Sequence, residues 1–160
     1  MTPRAVPGEF HTATPYLFVR DGVRAIEFYV RAFGATERLR LAGPGGTLGH
    51  GEIRIGDSVI MLADEVPAQG ALGPQSLGGA GVALFLYVED VDAFFSRAIA
   101  AGATVVRPVA DLFYGDRVGT LRDPFGHVWS IATHMIDLSR DELLERAAEF
   151  VESASPAESP

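Results

Sequence analysis

The sequence predicts an α+β fold: two consecutive βαβββ modules forming a cup-shaped mixed sheet, with a helix added at the C-terminus. Two observations carry that prediction, an internal repeat and a change of hydrophobic period inside each copy. Val19-Arg20-Asp21 through Gly34-Ala35-Thr36 lines up with Val88-Glu89-Asp90 through Gly102-Ala103-Thr104. Each copy reads as an apolar strand, an acidic cap, an amphipathic helix and a Gly-Ala-Thr exit.

The first strand of each copy is an aromatic and branched run, Tyr16 to Val19 and Leu84 to Val88, which suits a buried strand. Asp21 and Asp90 stand where a carboxylate can accept the free N–H groups of a helical first turn. Ile26, Tyr29, Val30 and Phe33 share one helical face, as do Val91, Phe94, Phe95, Ala98 and Ile99. Gly34 and Gly102 are placed for a left-handed C-cap. Strand spacing follows over 36–41, 49–55 and 58–63, with Gly56-Asp57 closing a tight hairpin, and again over 104–109, 117–122 and 127–133. These patterns give a first module over 12–64 and a second over 81–135. Residues 65–80, rich in Gly, Pro, Ala and Gln, read as a flexible linker or as a lid. Ser139 with Glu142 forms a capping box for a helix over 139–152, and 153–160 is expected to be disordered.

The 160 residues suffice for one domain or two small modules sharing a core, and 48% apolar with 21% charged residues is the balance of a globular protein. With no cysteine and no lysine, the 13 basic residues all being arginine, thiolate and Schiff-base chemistry are excluded, as are cysteine-held metals. A formal net charge of −8 argues against nucleic acid, whose binding needs a clustered positive face. No apolar run approaches a membrane span, and Met1 to Gly8 lacks the apolar stretch of a signal peptide. A cytoplasmic protein with no membrane partner is expected.

Two βαβββ modules ending in Asp123-Pro124-Phe125-Gly126-His127-Val128-Trp129-Ser130-Ile131 resemble the vicinal oxygen chelate superfamily over roughly residues 12 to 135. That superfamily includes glyoxalase I, bleomycin-resistance proteins, fosfomycin-resistance enzymes and extradiol dioxygenases. His50 through Leu62, Tyr114 through Arg117 and Asp123 through His134 look most like its PhnB-like, glyoxalase/bleomycin-resistance branch. The resemblance implies a cup-shaped cavity and a homodimer.

In metal-dependent relatives, the resemblance implies, four side chains from the first and last strands of each module hold a divalent ion. Those positions here carry Thr14, Met61, Ala83 and Ser130, and Met, Ala and lone hydroxyls cannot replace a divalent ion's lost hydration. A slip of one residue brings in no better donor, so the expectation is no metal and no cofactor. A displaced site on His50 and Glu52 remains an alternative, with His134 on the same nominal face as Ser130. The His50, Glu52, Arg54 row also reads as an ion-pair ladder rimming the cup.

An emptied cup becomes a ligand pocket. Phe18, Met61, Phe85, Tyr87 and Ser130 are the candidate lining, with Phe113, Tyr114, Asp116 and Arg117 at the mouth. Arg117 reads either as a clamp for an anionic group, with Asp116 orienting it or taking a proton, or as half of a local ion pair with Asp116. Trp129 is expected on the helix side, in the core. The leading expectation is a resistance or sequestration protein binding a small, largely apolar or aromatic metabolite or antibiotic. The alternative is a glyoxalase-like lyase, isomerase or transferase using His50, Glu52 or Asp116 for acid–base chemistry. A purely structural or interaction module built on the acidic C-terminal helix is a third reading.

Overall fold

A computed structural model describes residues 3–154. The first module runs β1 (Tyr16–Val19), α1 (Gly22–Phe33), β2 (Thr36–Ala42), β3 (Leu48–Ile55) and β4 (Ser58–Asp64). The second runs β5 (Ala83–Tyr87), α3 (Val91–Ala100), β6 (Thr104–Asp111), β7 (Asp116–Arg122) and β8 (Val128–His134), with a short α2 (Pro74–Leu77) between the modules and α4 (Arg140–Ala154) at the end. Each module makes its own four-stranded mixed sheet, in the orders β1-β4-β3-β2 and β5-β8-β7-β6. The first strand of each lies parallel to the last, and the other neighbours are antiparallel.

The repeat holds at the level of single hydrogen bonds. Asp21 accepts from the Arg24 amide at 3.1 Å and Asp90 from the Ala93 amide at 3.0 Å, so each helix start is satisfied by the residue before it. The next free amide is capped from the last strand. Asp64 of β4 accepts from Gly22 N at 2.8 Å, and Thr133 of β8 accepts from Val91 N at 2.9 Å. The exits differ. Gly34 takes the left-handed conformation at φ 65°, whereas α3 closes on Ala101 in a right-handed conformation and the turn falls one residue later, at Gly102 with φ 119°.

One core serves both modules. Leu17, Val19, Ile53, Ile60 and Leu62 of the first sheet and Leu121, Trp129 and Ile131 of the second are buried with the inner faces of α1 and α3. Trp129 is fully buried; its ring lies 4.9 Å from that of Phe33 and 5.5 Å from that of Tyr29. At the centre is a buried carboxylate, Asp123. It accepts from the Tyr29 hydroxyl at 2.6 Å, the Trp129 indole at 2.8 Å and the amides of Phe125 and His127. Burial and this carboxylate together push the Tyr29 hydroxyl well above its ordinary pKa. His127 adds a second link between modules, its Nε2 lying 3.0 Å from the Phe18 carbonyl.

Residues 65–80 hold structure that their composition hides. A 3-10 turn at Pro67–Gln69 and a bridge between Val66 and Ala71 lead into α2. Glu65 accepts from Gly73 N at 2.8 Å and Ser76 Oγ at 2.6 Å, and Gln75 donates to the Pro124 carbonyl. The segment is pinned at its start and at α2. Ser139 and Glu142 make the expected reciprocal cap of α4. Of the tail read as disordered, Ser153 and Ala154 finish α4 and the remainder lies outside the described residues.

Candidate functional site

The helices cover one face of each sheet, and the other face carries the candidate residues. On the first sheet, cross-strand register sets Tyr16, Met61 and Glu52 in a row, and alternation puts Phe18 and His50 beside them. A polar chain results. The Tyr16 hydroxyl lies 3.1 Å from His50 Nδ1, His50 Nε2 lies 3.4 Å from Glu52 Oε1, and Arg38 donates to Glu52 Oε2 at 3.1 Å. A register shift in β2 between Glu37 and Leu39 turns Arg38 onto this face. Arg38 also pairs with Glu9, and its guanidinium lies 5.3 Å from the Phe10 ring centre, so the N-terminal segment closes one side of the chain.

The second sheet's open face is aromatic. Phe85 and Tyr87 stand on β5 with ring centres 5.2 Å apart, 48% and 65% exposed. Ser130 lies opposite Phe85 in the ladder and shares a hydrogen bond with Thr120 at 3.2 Å. At the end of this face Asp116, only 4% exposed, accepts from the Tyr87 hydroxyl at 2.8 Å and faces His134 Nδ1 at 2.7 Å. His134 Nε2 lies 2.9 Å from the carboxylate of Asp137. The bond to Asp116, then that to Asp137, raises the His134 pKa. Tyr87 is raised chiefly by its bond to the Asp116 carboxylate, and Tyr114 by burial and then by the same carboxylate. A groove of about 900 Å³ runs past Phe85, Tyr87 and His134 and on toward Phe94, Asp57 and Glu89.

Three candidates from the sequence fall elsewhere. Arg117 follows Asp116 in β7, so it points to the opposite face, where it grips Asp92 through Nε at 2.7 Å and one Nη at 2.9 Å and reaches Asp111 at 3.0 Å. The ion pair with Asp116 drawn from the sequence is not made: three of its five N–H donors go to Asp92 and Asp111, on the face away from Asp116. Phe113 stacks on Phe150 of α4 at 4.9 Å, and Tyr114 packs edge-on against Phe113 at 5.3 Å. Phe18, Met61, Phe85, Tyr87 and Ser130 stand on the open faces, in two groups rather than one continuous sheet.

This architecture has known counterparts. Residues 10–131 match the Glyoxalase family model, that of the Glyoxalase/Bleomycin resistance protein/Dioxygenase superfamily. The chain belongs to that superfamily. It is 46% identical over 133 residues to the uncharacterized protein Rv0887c of Mycobacterium tuberculosis, an alignment covering 81% of this chain and 78% of the relative. Among solved structures it is similar to TioX from Micromonospora sp. ML1, with 27% identity, a TM-score of 0.61 and coverage of 81% of this chain and 100% of the other. It is also similar to a PhnB protein from Bacillus cereus, with a TM-score of 0.60 and coverage of 77% of this chain and 99% of the other. At 18% identity that second likeness concerns the fold alone.

The superfamily's metal positions can be tested against the donor chemistry present here. Thr14 stands ahead of β1 with its hydroxyl given to the His11 carbonyl at 3.0 Å, Met61 lies opposite Tyr16, Ala83 starts β5, and Ser130 is bonded to Thr120. These side chains do not fit a divalent ion. Among the described residues no group of three or more His, Asp or Glu is placed to hold one. The displaced site on His50 and Glu52 offers two donors, with an arginine already on the carboxylate, a poor setting for a cation. Among the described residues no helix is long and apolar enough to cross a membrane.

Sequence reasoning missed that Asp116, His134 and Asp137 meet. The signal was present in part, since His134 follows Ser130 by two strand repeats. The partner could be named only from the β7–β8 register, which pairs Asp116 with His134.

Proposed function

We propose that this superfamily member is a metal-free binding protein that sequesters a small, largely apolar or aromatic metabolite or antibiotic, and that it works as a cytoplasmic homodimer. One observation carries the reading: the four positions that hold the ion in metal-dependent relatives carry Thr14, Met61, Ala83 and Ser130, while the scaffold around them is intact. The exposed rings of Phe85, Tyr87 and Tyr16 support it, because pockets for organic ligands bind chiefly through apolar and aromatic contact. The same exposure supports a second copy covering these faces.

Native mass spectrometry with elemental analysis of the purified protein tests this. The expected result is a dimer that retains or takes up an aromatic small molecule and holds less than stoichiometric divalent metal. One zinc, iron, nickel or manganese per subunit would overturn the reading.

A second reading, an acid–base lyase, isomerase or transferase, is favoured by the His50 ring, which stands between the Tyr16 hydroxyl and the Glu52 carboxylate. Loss of turnover in His50→Ala with ligand affinity kept would support it over sequestration.

A further inference from the structure

Asp116 is one of two buried charged side chains among the described residues. Unlike Asp123 it borders a small cavity with Met135 and Ile136, separate from the groove lined by Phe85, Tyr87 and His134, which it reaches only through its bonds to Tyr87 and His134. Its two oxygens are used differently. One holds the Tyr87 hydroxyl and the other holds His134 Nδ1, so the imidazole is fixed in orientation with Nε2 directed outward. What meets Nε2 is Asp137, a fully exposed carboxylate three residues along the chain. A surface contact of that kind contributes little and exchanges readily with solvent or with a competing anion.

We propose that His134, held by Asp116, anchors the carboxylate of an aromatic acid whose ring lies along Phe85 and Tyr87, and that Asp137 occupies this anchor when no ligand is bound. The inference rests on the binding reading above and narrows it to aromatic carboxylates. The protonated imidazole and Asp116 form a neutral pair, so a ligand carboxylate on Nε2 brings one negative charge to the anchor, as Asp137 does when it occupies that position. The ligand has an advantage over Asp137 because it brings ring contact with Phe85 and Tyr87, which line the same groove as His134. The groups facing the anchor are Asp116 of β7, Tyr87 of β5 and Asp137, with Tyr114 behind Asp116 and the exposed carboxylates of Glu89 and Asp57 farther along the groove. Those last two oppose an anion, which makes the anchor salt-sensitive.

Two probes of the same shape, 2-naphthoate and 2-naphthamide, separate the anchor from the apolar groove. At about pH 6, naphthoate is expected to bind about tenfold more tightly than naphthamide. In His134→Gln the ratio of naphthoate to naphthamide affinity should fall to about one, with a circular-dichroism spectrum like the wild type as the check that the fold is intact. Asp137→Asn should tighten naphthoate about threefold and leave naphthamide alone. Naphthamide binding as well as naphthoate to the wild-type protein would overturn the anchor and leave the binding reading standing; so would a naphthoate preference that survives in His134→Gln. An unchanged naphthoate affinity in Asp137→Asn would overturn the exchange with Asp137. If neither probe binds, the binding reading falls and takes the anchor with it.

Discussion

The two modules share a frame and diverge at matching positions. Tyr16 opposite Met61 in the first sheet corresponds to Phe85 opposite Ser130 in the second. Asp64 and Thr133 cap the two helices from the last strand. Yet the open face of the first sheet carries a hydrogen-bonded chain from Tyr16 to Arg38, whereas that of the second carries exposed rings ending at a buried carboxylate. The helix-facing side chains answer to a common core and stay alike in character. The open faces answer to no such constraint, so chemistry can change there without disturbing the fold.

The hairpin between the last two strands gives the largest contrast. In the second module it contains Asp123, which receives four donors in the core; in the first it is Gly56-Asp57, and Asp57 is exposed and, among the described residues, accepts from the Ser58 hydroxyl alone. Asp123→Ala should therefore cost about 3 kcal/mol or more, by stranding the Tyr29 hydroxyl and the Trp129 indole. Asp57→Ala should stay within about 0.5 kcal/mol. Denaturant melts of both variants check this, and similar costs would dissolve the contrast.

The middle of the open faces is expected to differ less. Glu52→Ala leaves Arg38, whose side chain is 16% exposed, without its inner partner, at a cost of about 1 to 2 kcal/mol. Thr120→Ala at the matching position removes one hydroxyl bond to Ser130 and should cost under about 1 kcal/mol. Thermal unfolding of the two variants measures the difference.

The smallest effect is one of sign with pH, at the residues just after the two caps. Glu65 is held below its ordinary 4.5 by Ser76, Gly73 and Arg20. Its contribution to stability is present above that value and is lost as pH falls through the lowered one. His134 is raised above its ordinary 6.5 by Asp116 and Asp137. Its contribution is full below that value and is lost as pH rises through the raised one. Melting temperatures across about pH 3 to 8 should lose slope at the acid end in Glu65→Gln and at the upper end in His134→Gln. A shared direction for both variants would contradict the assignment.

The elements were legible because repeat, caps and spacing agreed. Strand limits moved by one or two residues, and Trp129 lies in the core as its alternation requires. The open faces were legible only where alternation decides them, as for Phe85, Tyr87 and Ser130. Alternation also separates Arg117 from Asp116, a consequence that their adjacency in the sequence obscured. Arg38 and Glu9 could not be foreseen, since a strand irregularity brings one to Glu52 and the fold of the N-terminal segment brings the other. The connector looked loose because its order comes from Glu65, Ser76 and Pro124, residues without any periodic signature.

That connector leads through Gly78 and Gly79 to Gly81 at the start of the second module, and a Cβ placed on any of the three would meet no other atom within 4 Å. What binds the halves of the molecule is the Tyr29–Asp123–Trp129 junction and the packing of α1 on α3, and the peptide chain across those glycines adds only a tether. A reporter domain or a new pair of chain ends introduced there is expected to leave the two halves assembling as a single body.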